Sequence, residues 1–480
     1  MAATSSSSKK LRVLLLPFFA TSHIGPFTDL AVRLCTASAD AAVEATIAVT
    51  PANEPLLHSL LQRHGHAAAG VKVATYPFPA VEGLPRGVEN PSLAAPGDAW
   101  RIDAAAFSEA LMRPRQETLI RAQSPDALVT DVHFVWNASL ADELGVPCIQ
   151  FNVIGAFPAL AMRHLAFSGG KPEAVTTVPG FPGPDIRIPV TELPELLRSQ
   201  QVADDSRTKR FFAAKADFFG IAVNTFSELE QPYCEMYVSK GYVKRAYFLG
   251  PLSLQSPPPP PAGDSSRWCI DWLDTKPDRS VVYLCFGSLA HVSDAQLHEL
   301  ALGLEASGKS FMWVVRAEKW SPPEGWEERV GDRGKLVRAW APQTAILAHP
   351  ALGAFVTHCG WNSVLETVAA GVPVLTWPVV FEQFITERLL TVVLGMGERV
   401  WPDGAGVRST RHDENEVVPG EAVARALVAF MRPGGAGDAA RGRASGLAVK
   451  ARTAMAEGGS SHRDLRRLLE DLKGARSAGP

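Results

Sequence analysis

Residues 353–373 read GAFVTHCGWNSVLETVAAGVP. GAFVT is a short β-prone run ending at Thr357. The residues that follow repeat apolar positions at helical spacing, with Val364, Leu365, Val368 and Ala369 on one face and Gly371 and Pro373 as the stop. A strand passing through a tight turn into a helix is the repeating unit of a doubly wound α/β domain. The turn holds His358, Cys359 and Gly360, and the first helical turn carries Asn362, Ser363 and Glu366 away from the apolar face. Unpaired N–H groups at a helix N-terminus attract anions, and imidazole, amide and hydroxyl donors beside them suit a diphosphate. Other chemistries compete for the same residues. Ser363 and Glu366 also match a capping box, which would make both structural. Zinc would need partners at spacings that adjacent His358 and Cys359 lack. A thiolate is favoured at a helix N-terminus, yet no second motif completes a nucleophilic triad.

Similar units recur outward from this stretch. Apolar, β-rich runs at 11–19, 43–50, 71–78, 126–130, 146–151 and 218–224 are separated by segments with helical spacing, and a second series follows at 280–286, 310–316, 335–339, 353–357 and 372–377. Near-continuous apolar strands alternating with helices predict parallel sheets covered on both faces. Two series in 480 residues predict two such domains. Between them lies a segment without apolar periodicity that holds five consecutive prolines, 257–261, and reads as a semi-rigid connection. The expected division is 1–250, a linker at 251–267, 268–455, and a terminal helix and tail at 456–480 that can return to the first domain. In that helix Leu465, Leu468, Leu469 and Leu472 share a face, and Ser461 with Asp464 reads as its cap.

Composition excludes several classes. With 46% hydrophobic and 20% charged residues and a formal charge of -3, nothing points to disorder, nucleic acid or an acidic membrane. The apolar run 11–19 is too short to span a bilayer and no secretory signal is visible, so the cytoplasm is the expected compartment and the Asn137 sequon is read as accidental. Six cysteines without a C-x-x-C pair argue against a disulfide framework.

The opening stretch sits inside WAPQTAILAHPALGAFVTHCGWNSVLETVAAGVPVLTWPVVFEQ, residues 340–383. This block closely resembles the donor-binding signature of plant family 1 UDP-dependent glycosyltransferases. The likeness extends to SHIGP near residue 23 and EGGSSHRDL near residue 460. It implies the GT-B architecture, two Rossmann-like domains facing a central cleft, and it implies roles. Trp340 would stack on the uracil, whose edge would meet the Ala341 backbone, and Gln343 belongs to the same donor site. Glu366 would accept from the ribose hydroxyls. His358, Gly360, Asn362 and Ser363, with Ser288, would hold the diphosphate. Trp361, Glu382 and Gln383 would bind the sugar, and a terminal glutamine is associated with glucose donors. Outside such a block either tryptophan would as readily be a buried core aromatic. One departure stands at Val153, where many relatives carry a threonine that contacts the sugar.

The chemistry of transfer needs a base. LRVLLLPFF runs through ATSHIGP into FTDLAVRLC, so His23 is expected in a loop at a strand's carboxyl end, with Pro26 at the first helical position. An isolated histidine is more often structural. Imidazole is nevertheless the side chain best matched to taking a hydroxyl proton near neutrality. The resemblance assigns that role to His23 and gives it Asp131 as partner, with His133 a weaker substitute. It further implies inverting, metal-independent transfer of glucose, without a cofactor, to small lipophilic acceptors such as phenolics or flavonoids. Terpenoid, hormone or xenobiotic acceptors and C-, N- or S-glycosides are the alternatives, with an epimerase or a non-catalytic UDP-sugar binder as rivals. Phe157, Phe167 and Phe181 are candidate walls for a flat acceptor. The expected partners are the UDP-sugar and the acceptor, with no nucleic acid, no membrane span and a monomeric chain.

Overall fold

The computed structural model describes residues 10–37, 43–95, 97–168, 174–198, 212–255, 264–287, 292–317, 319–338 and 340–478. The proline run of the expected linker and Ser288 lie outside these residues.

The first half builds β1 (Leu11–Leu16), β2 (Val43–Val49), β3 (Val71–Thr75), β4 (Ala127–Asp131), β5 (Cys148–Asn152), a hairpin of β6 (Val175–Thr177) and β7 (Arg187–Pro189), then β8 (Gly220–Val223) and β9 (Ala246–Phe248). The second half builds β10 (Val281–Cys285), β11 (Ser310–Val314), β12 (Gly334–Val337), β13 (Leu352–Thr357), β14 (Val374–Thr376) and β15 (Gly397–Arg399). The large sheets run β3-β2-β1-β4-β5-β8-β9 and β12-β11-β10-β13-β14-β15, with parallel pairing throughout. The chain order reverses direction between β1 and β4 in one sheet and between β10 and β13 in the other. Ligands of doubly wound sheets bind beyond the strand ends at these switch points.

Central strands are apolar along their whole length because helices cover both faces; β4, β5 and β10 are buried at every residue. Edge strand β3 is only partly buried. The terminal helix Ser460–Ala478 crosses back and sinks Leu465, Leu468, Leu469 and Leu472 into the first sheet's core. Burying each leucine is worth roughly 1.5–3 kcal/mol, which fastens the end of the chain to the first domain. The capping expectation there is corrected. The Ser461 hydroxyl donates to the Gly250 carbonyl (2.6 Å), and Asp464 accepts the Phe248 N–H (2.7 Å), so both residues tie the helix to the other domain.

The two halves also meet directly. Trp361 is 3% exposed and its Nε1–H donates to the Asn224 carbonyl (2.7 Å). Its ring lies against Gly155, where an added Cβ would fall 2.2 Å from the indole. Below this contact a buried ion cluster joins residues 187–198 to the second domain. Arg388 pairs with Glu192 (2.5 Å) and Glu387 (3.0 Å), and Arg408 bridges the same two carboxylates. Arg198 and Arg411 extend it to Glu414 and Glu195. Its buried members Arg388, Glu387 and Glu192 persist as charges only because each has such partners, while Arg411 and Glu195 lie at the surface.

Candidate active site

The helix after β1 begins at Thr21, earlier than its proline suggests. Ala20 is extended and its carbonyl accepts from both His23 N and Ile24 N (2.9 Å each). His23 therefore sits in the first helical turn rather than in a loop, and Pro26 lies inside the helix rather than at its first position. The sequence signal misleads because proline is commonest at that first position.

Asp131 ends β4 and is fully buried. Because β4 pairs with β1 in register, with Leu16 opposite Thr130, its carboxylate faces the turn after β1. One oxygen accepts from His23 Nδ1 (2.8 Å) and the Phe18 N–H (3.2 Å), the other from His133 Nδ1 (2.6 Å) and the His133 N–H (3.3 Å). Burial pushes this carboxyl up, but His23 and His133 overcome it and hold it below the usual carboxylate range. An ionised Asp131 fixes the proton of His23 on Nδ1 and leaves the Nε2 lone pair to receive another. His23, Asp131 and His133 also present ligand atoms within 4.8 Å of one another, as a metal site would. Here both carboxylate oxygens already serve imidazole donors.

Aromatic rings surround this triad. Phe18 meets His23 edge-on at 5.1 Å and stacks on His133 at 4.0 Å, and Phe107 lies 4.6 Å from His133. The residues expected as walls, Phe157, Phe167 and Phe181, make ring contacts of their own. Phe157 and Phe181 pack with Tyr233, and Phe167 with Phe212. Phe18 could have been found from its place at the end of β1, two residues before the helix-capping Ala20. Phe107, on a different segment, carries no such signal.

On the facing domain, His358 follows β13 and lies between two glycines. A Cβ at Gly287 or Gly360 would fall 2.5 or 2.3 Å from its Nε2, so only bare backbone fits on either side. Burial pushes the imidazole down to about 4, so it is neutral at physiological pH and donates from one nitrogen only. Cys359 is buried in a left-handed conformation (φ 65°), and burial pushes its thiol well up, which removes the thiolate reading. The capping-box reading of Ser363 and Glu366 also gives way. The helix Trp361–Ala370 is capped at Gly360 without a side chain. Ser363 Oγ and Glu366 Oε2 instead both accept from Gln343 Nε2 (3.0 and 2.7 Å), while Tyr283 OH donates to Gln343 Oε1 (3.3 Å). Burial pushes the Glu366 carboxyl up to about 7 against the pull of Gln343.

The remaining residues rim this cradle. Trp340 is 51% exposed, with the guanidinium groups of Arg63 and Arg316 each 5.3 Å from its ring centroid, so it is a surface platform and no core aromatic. Trp361, by contrast, is buried between the domains. The Ala341 carbonyl accepts from Gln343 N (2.9 Å). Asn362 Nδ2 reaches across to the Ser22 carbonyl (2.9 Å). Gln383 Oε1 accepts from Val379 N and Val380 N (3.0 Å each), so its amide nitrogen is the end left for a ligand. Burial pushes the Glu382 carboxyl up, and its own backbone and the charge of His23 pull it part of the way back. Val153 is buried just beyond β5.

Comparison with known proteins agrees with this geometry. The family described as UDP-glucoronosyl and UDP-glucosyl transferase matches residues 261–396. Scopoletin glucosyltransferase of Nicotiana tabacum is 37% identical, covering 98% of this chain and 99% of its own. UDP-glucose flavonoid 3-O-glucosyltransferase 7 of Fragaria ananassa is 34% identical, covering 98% of both. Among solved structures, Glycyrrhiza uralensis UGT73P12, complexed with glycyrrhetinic acid 3-O-monoglucuronide, superposes with a TM-score of 0.82 at 31% identity, covering 98% of this chain and 97% of its own. Medicago truncatula UGT71G1, complexed with UDP-glucose, does so with a TM-score of 0.78 at 27% identity, covering 98% and 100%. Two switch points facing one cleft, one with an imidazole–carboxylate pair and the other with the strand–turn–helix unit around His358, thus belong to a GT-B enzyme: the chain is a member of the plant family 1 UDP-dependent glycosyltransferases and transfers sugar from a UDP-sugar.

Proposed function

We propose that the chain moves glucose from UDP-glucose to a hydroxyl of a phenolic acceptor, with inversion to the β-glucoside. The observation that carries this reading is His23, held by Asp131 through Nδ1 (2.8 Å), so that Nε2 is the nitrogen left to take a proton. His23 takes the acceptor proton as the acceptor oxygen attacks the anomeric carbon from the side opposite UDP. Asp131 stabilises the imidazolium that forms. The charge left on the departing diphosphate meets His358, the Gly360 turn, Asn362, Ser363 and, by resemblance, Ser288. Trp340 carries the uracil beside the Ala341 N–H. Glu366, oriented by Gln343, takes the ribose hydroxyls, and Glu382, Gln383 and the Trp361 backbone border the sugar. No step calls for a metal or a cofactor.

The ring of Phe18, Phe107 and His133 beside the base suits a flat aromatic acceptor, and the names of the tobacco and strawberry relatives support a phenolic. A terpenoid acceptor is the second reading, favoured by the likeness to UGT73P12 with its bound glycyrrhetinic acid 3-O-monoglucuronide. Incubating the protein with UDP-glucose, UDP-galactose or UDP-glucuronate and a mixed acceptor panel separates these readings by mass spectrometry. Phenolic hexosides formed from UDP-glucose are expected. Transfer of glucuronate alone, or to non-phenolic acceptors alone, would overturn the assignment.

Glu366 gives donor binding a pH dependence. Its carboxyl titrates at about 7, raised by burial, and the ionised form is the better acceptor for two hydroxyls. Affinity for UDP-glucose should therefore rise with pH through that value and level off above it. Below it the loss approaches about tenfold per pH unit, the limit for binding only the ionised form. Calorimetric titration across this range should show the limb in the wild type and none in Glu366→Gln.

A further inference from the structure

Pro26 interrupts the helix Thr21–Thr36 one turn from its start, where proline is the least favourable residue. Its ring has no N–H and crowds the carbonyl four residues earlier. That carbonyl belongs to Ser22, the neighbour of His23. Deprived of its helical donor, it accepts instead from Asn362 Nδ2, 2.9 Å away on the opposite domain. Asn362 stands in the first turn of the helix Trp361–Ala370, beside the anion cradle. Its amide nitrogen has two hydrogens. One holds the turn that bears the base, and the other remains for the anion side.

We propose that Pro26 is a positioning residue. By denying Ser22 its place in the helical hydrogen-bond ladder, it reserves that carbonyl for Asn362 and sets the distance between the base-bearing turn and the donor cradle. The consequence is a trade. An alanine at 26 would restore the N–H, let Ser22 close its helical bond, and release Asn362 from the first domain. The helix would gain and the alignment of the two half-sites would suffer. This inference rests on His23 acting as the base and on 358–363 holding the diphosphate. That reading fails if His23→Ala keeps full turnover, whereas the present one fails on different measurements.

Pro26→Ala is expected to unfold at the same or a higher temperature than the wild type while kcat falls. A fall of roughly five- to tenfold corresponds to one interdomain hydrogen bond. A merely structural proline would show no such opposition. If the effect runs through Asn362, Pro26→Ala should change kcat by less than about twofold in an Asn362→Ala background, because the two changes then remove the same contact. Wild-type turnover in Pro26→Ala, or the same factor lost in both backgrounds, would overturn the proposal. Hydrogen exchange tests it without either catalysis or the proline variant. In ligand-free Asn362→Ala, a peptide covering residues 20–28 should exchange faster than in the wild type, and equal protection would likewise overturn it.

Discussion

Replacing His23 with alanine is expected to lower kcat by about 10²–10⁴-fold, the usual contribution of a positioned general base. KM for UDP-glucose should change little, because the residues proposed to hold the nucleotide lie on the other domain, around Trp340, Gln343 and His358. The fold should survive, since the His23 side chain is partly exposed and, among the described residues, its side-chain hydrogen bond is the one to Asp131. His133→Ala is the matched control. It removes the second imidazole from the same carboxylate but leaves the His23–Asp131 bond in place. Steady-state kinetics with a phenolic acceptor should therefore rank the two variants far apart. Comparable losses, or a larger loss in His133→Ala, would move the base to His133.

Asp131→Asn is the second large effect, for a different reason. The carboxylate accepts four hydrogen bonds and is fully buried, so its replacement must fit the same four donors. An asparagine offers one oxygen and an NH₂ group, and the NH₂ must face some of those donors. Where it faces His23, Nδ1 becomes the acceptor and the proton moves to Nε2, the atom that has to receive the acceptor's proton. A loss of about 10³–10⁴-fold in kcat is expected, the order seen when the carboxylate behind a catalytic histidine is amidated. A drop in unfolding free energy of about 1–3 kcal/mol should accompany it, for donors left unsatisfied in the interior. Kinetics and thermal unfolding on one preparation check both. A variant that loses stability but keeps wild-type kcat would make Asp131 a structural residue.

Much of this was legible in the amino-acid order, for identifiable reasons. The central strands of both sheets could be read because burial on both faces leaves long apolar runs, as in LRVLLL and VVYLC. Strands β6, β7, β9 and β15 fall outside those runs. Each has three residues at a sheet edge, too short for an apolar run to stand out. The strand–turn–helix unit proposed to hold the diphosphate was legible because spacing along a single unit fixes spacing in the fold. Contacts between segments far apart in the chain were not. The burial of Trp361 against Gly155 and the Glu192–Arg388–Arg408 cluster depend on how the halves meet, and the grouping of Phe18 with Phe107 depends on how distant segments of the first domain pack. The Ser363–Glu366 pair shows the same limit at shorter range. Its spacing matches a capping box, yet Gln343, some twenty residues upstream, claims both side chains.

The central claim is single-displacement transfer driven by His23, and the configuration of the product tests it most directly. The glucoside formed from UDP-α-glucose and a phenolic acceptor can be isolated and its anomeric proton coupling measured by NMR before any chemical equilibration. A large, trans-diaxial coupling, marking the β-anomer, is the predicted result. An α-glucoside, or consumption of UDP-glucose with no glucoside formed, would contradict the account.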